Sequence, residues 1–212
     1  MKQILCFGDS NTYGLVPATT KRYGWGVRWT SILNEKLGVG EYRVIEEGLC
    51  GRTTVFDDPF REGRRGTQLF PTLLETHRPL YCIVIMLGTN DCKAVYGATA
   101  AVIAKGIEKL VLQAQQYAKD TPILLVSPIH LGEGVWEKDF DPEFNENSVA
   151  VSEGLAEAYQ KVSEQYGLAF LNAAEYAQPG TADREHLDEE GHQKLAEAVW
   201  HAIKCIIDKK NQ

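Results

Sequence analysis

One serine in this 212-residue chain lies in a setting that suits nucleophilic chemistry. Ser10 follows the apolar run Ile4–Phe7, which is too short for an amphipathic helix and predicts a buried strand. The sequence Gly8-Asp-Ser-Asn11 then turns the chain at the end of that strand, where ligands bind in open α/β sheets. We therefore predict that Ser10 is a nucleophile, although Gly, Asp, Ser and Asn are also common in ordinary turns.

A general base for this serine could come from Asp183 and His186, which are three positions apart. In a turn, this spacing can bring the carboxylate to Nδ1 of the imidazole and leave Nε2 free to accept the proton of Ser10. Alternatively, the segment only precedes the last helix, with Asp188 as its N-cap. His192 is a weaker candidate for the base because it falls inside that helix and has no aspartate three residues earlier.

Two further polar turns could donate hydrogen bonds to an oxyanion. Gly51 has no Cβ, so a substrate can approach its N–H closely. Asn90 carries a carboxamide, which donates hydrogen bonds without a charge. Together with the backbone N–H of Ser10, they would form an oxyanion hole with three donors. Turn geometry alone would also explain Gly51 and Asn90 when each is considered separately.

Strand and helix patterns alternate five times, which predicts an α/β fold with a five-stranded parallel sheet flanked by helices. The carboxyl ends of parallel strands lie at one edge of the sheet, so the four polar turns should meet there. No internal repeat or linker is evident, and we predict a single domain over residues 1–212. The predicted strands are 4–7, 42–45, 81–87, 122–126 and 168–171, and the predicted helices are 25–37, 67–77, 99–118, 151–166 and one after His186.

Two segments depart from regular patterns. Pro71 falls inside the predicted helix 67–77 and is expected to interrupt it. Residues 131–147 have no period and mix glycines, aromatic residues and acids, which is typical of a lid or a binding loop. We expect a substrate pocket near the polar turns. Its candidate lining residues are Asn11, Tyr13, Cys50, His130 and Trp136.

Charge and hydropathy argue against several classes of partner. Asp and Glu outnumber Lys and Arg by 29 to 22, giving a formal charge of −7, whereas a nucleic-acid partner needs a basic face. The local cluster Arg61, Arg64 and Arg65 is interpreted as a solvated loop. No run of about 18 apolar residues could span a membrane, and no small-residue cleavage site of a signal peptide follows the first strand.

The five cysteines include no Cys-x-x-Cys pair and are interpreted as reduced thiols in a cytoplasmic protein. No group of His, Cys and Asp residues has the spacing of a metal site, so neither a metal nor another cofactor is expected. The expected partner is a small-molecule ester. The sequence leaves the oligomeric state open, and a homo-oligomer is compatible with it.

The SGNH (GDSL-type) hydrolases carry four sequence blocks that this chain resembles, in order, over residues 4 to about 192. The context of these blocks is most similar to the arylesterase and acyltransferase branch. The matching segments are Gly8-Asp-Ser-Asn11, Glu46-Glu-Gly-Leu-Cys-Gly-Arg-Thr-Thr54, Gly88-Thr-Asn-Asp91 and Asp183-Arg-Glu-His186.

This resemblance implies a three-layer, flavodoxin-like fold and a serine esterase that acts through an acyl-enzyme on Ser10. The expected substrates are short-chain acyl or aryl esters and acetylated sugars, with transfer of the acyl group to an alcohol as a further outcome. By motif position, Asp183 and His186 complete the triad, and Gly51 and Asn90 join Ser10 in the oxyanion hole. The alternative function is a non-catalytic flavodoxin-like module that binds an anion or another small molecule.

Overall fold

The computed structural model describes residues 1–210, and its strands form a five-stranded sheet. The strands are β1 (Lys2–Gly8), β2 (Tyr42–Gly48), β3 (Leu80–Met86), β4 (Ile123–Ser127) and β5 (Ala169–Asn172). The α-helices are α1 (Ser10–Tyr13), α2 (Trp29–Leu37), α3 (Gly66–Thr76), α4 (Ala100–Tyr117), α5 (Glu146–Tyr166) and α6 (Glu189–Lys210). Single turns of 3₁₀ helix span Asn90–Cys92, Ala94–Tyr96 and Ala173–Glu175.

The strand order is β2-β1-β3-β4-β5, and every neighbouring pair is parallel. At the end of β1, Gly8 pairs with Gly48 of β2 and with Met86 of β3. The carboxyl ends of these three strands are therefore level, and the turns that follow them leave the sheet side by side. The predicted five-stranded parallel sheet is confirmed.

Helices cover both faces of the sheet because alternate residues of each buried strand point in opposite directions. Leu5 and Phe7 of β1 belong to a core that also contains side chains of α3, α4 and α5. Ile4 and Cys6 belong to a second core, which is formed with α2 and α6. The arrangement is the three-layer α/β fold that the resemblance implied.

Two helices begin at different residues than the apolar period predicted. α5 begins at Glu146 rather than 151, because Asn145 and Ser148 form a capping box in which each side chain accepts the other's backbone N–H. α2 begins at Trp29 rather than 25, because Gly26 has a φ of +85°, which is outside the helical region. Both corrections concern polar or glycine residues that an apolar period does not register.

The predicted interruption of the third helix at Pro71 is wrong, because α3 runs through this residue. A proline has no N–H to donate to the carbonyl four residues earlier, which here belongs to Thr67. In the structure, Nε2 of Gln113 on α4 donates to that carbonyl at 2.8 Å. A side chain from the neighbouring helix thus replaces the missing backbone hydrogen bond, and the helix continues.

Replacing Gln113 with leucine should therefore destabilise the fold, because the carbonyl of Thr67 loses its hydrogen-bond donor. The loss of this hydrogen bond should lower the free energy of unfolding by about 1 kcal/mol, and Tm by about 2–4 °C for a chain of this size. Thermal unfolding of Q113L in the wild-type and P71A backgrounds provides the check, since Pro71→Ala restores an N–H for the carbonyl. Equal losses of Tm in both backgrounds would show that the hydrogen bond from Gln113 to the Thr67 carbonyl does not compensate for Pro71.

None of the helices within residues 1–210 is both long and apolar enough to cross a membrane. All five cysteines fall in this range, and each is an unpaired thiol. Cys6 and Cys82 are buried in the strands, as their apolar neighbours predicted.

Candidate active site

Ser10 lies at the first position of α1, immediately beyond the end of β1. Asp9 is the N-cap of this short helix, and its Oδ1 accepts the N–H of Asn11 at 3.0 Å. The N–H groups of a first helical turn have no partner within the helix, so the N–H of Ser10 is available to a ligand. The end of β1 and the start of α1 thereby fix the backbone of this serine.

A continuous chain of hydrogen bonds joins Ser10 to Asp183 through one imidazole. Nε2 of His186 is 2.9 Å from Oγ of Ser10, and its Nδ1 is 2.8 Å from Oδ2 of Asp183. Ser10 and His186 are both buried. This is the order of groups in a nucleophile–base–acid triad, in which Nδ1–H donates to the carboxylate and Nε2 accepts the serine proton. The structure thus brings together the three residues that the sequence analysis proposed as catalytic.

Asp183 holds the turn that carries the histidine. Its Oδ1 accepts the N–H groups of Glu185 and His186, and its Oδ2 also accepts the N–H of Ala18. Burial alone would raise the pKa of Asp183, but the hydrogen bonds from His186 and from these backbone groups outweigh it and lower the pKa. The carboxylate therefore stays ionised and fixes the orientation of the ring.

Asn11 was predicted to line the pocket, but its side chain instead connects this turn to α1. Its Nδ2 donates to the carbonyl of Glu185 at 3.4 Å, and its Oδ1 accepts the N–H of Leu187 at 2.9 Å. Both ends of the amide are thereby used on the backbone on either side of His186. Its role is to keep the histidine segment next to Ser10.

The environment of His186 favours its protonated form. Burial lowers the pKa of an imidazole, but the carboxylates of Glu185, Asp183 and Asp9 outweigh that effect and raise the pKa to about 9. Glu185 is the largest of these opposing influences, and its Oε1 lies 3.6 Å from Nε2. The base in this site is therefore stronger than a free imidazole.

Gly51 and Asn90 lie beside Ser10 and line the same cavity. Gly51 has a φ of +80°, and a Cβ at this position would lie 2.1 Å from Nη2 of Arg61, so only glycine fits without strain. Asn90 is buried, and its Nδ2 donates to the carbonyl of Arg52 at 3.2 Å. This bond orients the amide and leaves its second N–H available. The three proposed oxyanion donors are thus at one place in the fold.

The buried guanidinium of Arg52 ties together the turns beneath these donors. It donates to the carbonyl of Gly8 at 2.8 Å and to that of Glu47, at the ends of β1 and β2. Burial lowers the pKa of Arg52 to about 10. Asp91, next to Asn90, accepts both the N–H and the hydroxyl of Thr54. Charged side chains that the sequence analysis did not single out therefore hold Gly51 and Asn90 in position.

The cavity beside Ser10 has a volume of about 380 Å³, and most of the residues that line it are polar or charged. Cys50 lines it, as expected from its place beside Gly51. Arg61 also faces it, although the arginine cluster was interpreted as a solvated loop. The remaining lining residues are Ser10, Leu15, Gly51, Phe60, Asn90, Lys93, Asp141, Glu143, Glu185 and His186.

Besides Asn11, three of the predicted pocket residues are not among those that line this cavity within residues 1–210. The ring of Tyr13 packs against the guanidinium of Arg22 at 4.5 Å from its centroid. Trp136 packs against the core on the α3–α5 side of the sheet. His130 is half-buried beyond the end of β4. A place in a loop near the end of a strand was therefore not enough to predict which side chains line the cavity.

The loop 131–147 packs against the histidine turn. The N–H of Gly132 donates to the carbonyl of Arg184 at 2.7 Å, and the Arg184 guanidinium lies 4.3 Å from the ring centroid of Phe140. Asp141 and Glu143 of the same loop line the cavity. The loop therefore supplies one acidic wall of the pocket, which agrees with the prediction of a binding loop.

The sequence profile of GDSL-like lipases and acylhydrolases matches residues 6–194. The chain belongs to the GDSL-like lipase/acylhydrolase family. The resemblance to SGNH (GDSL-type) hydrolases is thereby confirmed, and the chain is a carboxylic ester hydrolase rather than a non-catalytic binding module.

Solved structures resemble this GDSL-like hydrolase over nearly its whole length. One crystal structure is 44% identical in sequence, with a TM-score of 0.91 over 97% of this chain and 98% of its own. The inhibitor-bound aryl esterase of M. smegmatis is 33% identical, with a TM-score of 0.89 over 97% of this chain and 99% of its own. A carbohydrate acetylesterase family member from Sinorhizobium meliloti is 32% identical, with a TM-score of 0.89 over 98% and 100%. Comparison with curated proteins gave no match.

Within the described part of this GDSL-like hydrolase, no group of three or more His, Cys, Asp or Glu side chains could hold a metal ion. The site contains a serine hydroxyl that is hydrogen-bonded to a histidine base, with amide N–H groups of Gly51 and Asn90 lining the same cavity.

Proposed function

We propose that this chain hydrolyses carboxylic esters through an acyl-enzyme on Ser10. The observation that carries the proposal is the hydrogen-bond chain from Asp183 through His186 to Oγ of Ser10. In the first step, Oγ attacks the ester carbonyl while Nε2 takes its proton, and Asp183 stabilises the resulting imidazolium. The same proton then passes to the leaving alcohol as the tetrahedral intermediate collapses.

The negative charge of that intermediate would be held by the N–H groups of Ser10 and Gly51 and by the amide of Asn90. These donors are fixed before the substrate arrives, since Arg52 orients Asn90 and the backbone holds the other two. Preorganised donors of this kind lower the barrier because they need no rearrangement as the charge develops.

In the second step, water attacks the acyl-enzyme with His186 acting again as base, which releases the acid and restores the serine. An alcohol in place of water would give acyl transfer. The cavity of about 380 Å³ suits a short acyl group, and the polar and charged residues among those that line it can hydrogen-bond to a substrate. We therefore propose short-chain acyl and aryl esters as substrates, with acetylated sugars as a second class suggested by the named acetylesterase neighbour.

A fluorophosphonate tests the nucleophile directly, because such reagents phosphonylate an activated serine and displace fluoride. We expect one phosphonyl group per chain, located on Ser10 by peptide mass spectrometry, with loss of ester hydrolysis in step with labelling. Labelling at another serine that also abolishes turnover would contradict the mechanism.

The raised pKa of His186 predicts an alkaline activity profile. Only the neutral imidazole can accept the serine proton, so kcat/KM should increase about tenfold per pH unit below the pKa and level off near pH 9. Background-corrected hydrolysis of phenyl acetate between pH 6 and 10 provides the measurement. A profile that levels off near 6.5, the ordinary value for histidine, would contradict the assigned environment.

Glu185→Gln provides a matched variant for this profile. It removes a negative charge 3.6 Å from Nε2, so the pH at which kcat/KM levels off should move lower. Glu133→Gln removes an exposed charge from the loop 131–147 and should leave the profile in place.

A further inference from the structure

Glu185 lies at the cavity wall, and the only ion pair that its side chain forms within residues 1–210 is with His186. The residue is only 6% exposed, although it contributes to the lining of the cavity. Its nearest charged neighbour is His186, whose Nε2 is 3.6 Å from Oε1, too far for a good hydrogen bond. In the sequence, this residue stands between Asp183 and His186 of the fourth motif.

An acid in this position is costly to the free protein. Burial raises the pKa of Glu185 to about 7, and Asp141 adds a further negative charge. Lys93, the cation on the same side, is already paired with Glu143. Apart from its contact with His186, Glu185 forms no ion pair within residues 1–210, so its carboxylate can accept a hydrogen bond from a ligand in the cavity.

The backbone of Glu185 is held by the same contacts that hold the catalytic histidine. The N–H of Glu185 donates to Oδ1 of Asp183, and its carbonyl accepts the amide of Asn11. Arg184, immediately before it, has a φ of +63° and is held by contacts to the loop 131–147. The Cα of Glu185 is thus fixed relative to His186, and burial of the residue limits the directions that its side chain can take.

The distance from Glu185 to Nε2 of His186, and the cavity wall that both residues share, bring Glu185 within reach of a bound leaving group. The oxygen of the departing alcohol must come within about 2.6–3.2 Å of Nε2 to receive its proton. Oε1 of Glu185 lies 3.6 Å from that same nitrogen. Both Nε2 and Glu185 border the cavity that Gly51 and Asn90 also line, so a group attached to the leaving oxygen can reach the carboxylate while the carbonyl oxygen faces the proposed oxyanion donors.

We propose that Glu185 is a specificity-determining residue that accepts a hydrogen bond from a hydroxyl group on the alcohol part of the ester. The inference rests on the proposed hydrolysis at Ser10. A polyol monoester satisfies the buried acceptor, while a simple alkyl ester covers it with carbon and leaves it without a partner. A site built around such an acceptor discriminates strongly against substrates that lack the donor.

The test compares two acetate esters that share the acyl group and a three-carbon alcohol, glycerol 1-monoacetate and n-propyl acetate. Release of acetate gives kcat/KM for each ester with wild type, Glu185→Gln and Glu185→Leu. The quantity measured is the ratio of the two kcat/KM values at one pH. Because both esters use the same triad, a change in the pKa of His186 cancels in this ratio, and only recognition of the hydroxyl groups remains.

We expect wild type to prefer the glycerol ester and Glu185→Leu to lower the ratio about 10-fold or more, as for a lost hydrogen bond to a charged group. Glu185→Gln, which keeps an acceptor oxygen and the shape of the side chain, should fall between the two. Glu133→Gln, on the exposed loop, should retain the wild-type ratio. A ratio that is the same in wild type and Glu185→Leu, or a wild type that prefers the propyl ester, would overturn the proposal.

The proposed function has a separate measurement in the same experiment. Turnover of phenyl acetate by wild type, and its loss in Ser10→Ala, tests hydrolysis at Ser10 with an ester whose alcohol part carries no second hydroxyl. A constant ratio combined with Ser10-dependent hydrolysis therefore counts against the role of Glu185 alone.

Discussion

Replacing Ser10 with alanine should reduce kcat for phenyl acetate by at least about 10⁴-fold. Without the hydroxyl no acyl-enzyme can form, and the oxyanion donors alone support only slow attack by water. The fold should persist, because the substitution removes one oxygen whose partner is His186, at 2.9 Å. Steady-state hydrolysis of purified S10A, with Tm from thermal unfolding, provides the measurement.

Thr12 supplies a matched control on the same short helix. It is fully buried, and its hydroxyl has no hydrogen-bond partner within residues 1–210. Thr12→Val therefore removes a hydroxyl two positions from Ser10 while keeping the size of the side chain, and it should retain wild-type kcat. Activity near wild type in S10A, or an equal loss in both variants, would remove Ser10 from the mechanism.

The position of the site was predictable because it depends on topology. Once the apolar run before Ser10 and the run before Asn90 are identified as parallel strands, their ends must lie at one edge of the sheet. The pairing of Gly8 with Gly48 and Met86 confirms this geometry. The spacing of Asp183 and His186 added the base, because three residues in a turn suffice to bring a carboxylate to Nδ1.

The side chains that shape the pocket were less predictable, because their directions depend on contacts between distant segments. Arg184 and the loop 131–147, together with Asp183 and Asn11, hold the histidine turn in the position from which Glu185 lines the cavity. Trp136 packs against the core and Tyr13 against Arg22, and these contacts also join segments that are distant in the sequence or not visible in its pattern. The uninterrupted α3 is a similar case, since the partner that compensates for Pro71 is on α4, 42 residues away.

A comparison of two histidines should separate catalysis from folding. His186→Ala should lower kcat by about as much as S10A, because members of a triad act as a unit and the loss of either disables it. His192→Ala should lower Tm by several degrees but leave kcat within about threefold of wild type. The measurements are phenyl acetate hydrolysis, normalised to folded protein, and thermal unfolding of each variant.

The expected difference follows from what each imidazole contacts. His192 is fully buried on α6, and its Nδ1 accepts the backbone N–H of Trp29 at 3.3 Å at the start of α2. Burial lowers its pKa to about 4, so it is neutral and serves to join the two helices on one face of the sheet. His192→Asn retains an acceptor for that N–H and should recover part of the Tm. If His192→Ala abolished turnover while His186→Ala retained it, the assignment of the base would be wrong, since the only base within hydrogen-bond reach of Oγ in residues 1–210 would then be dispensable.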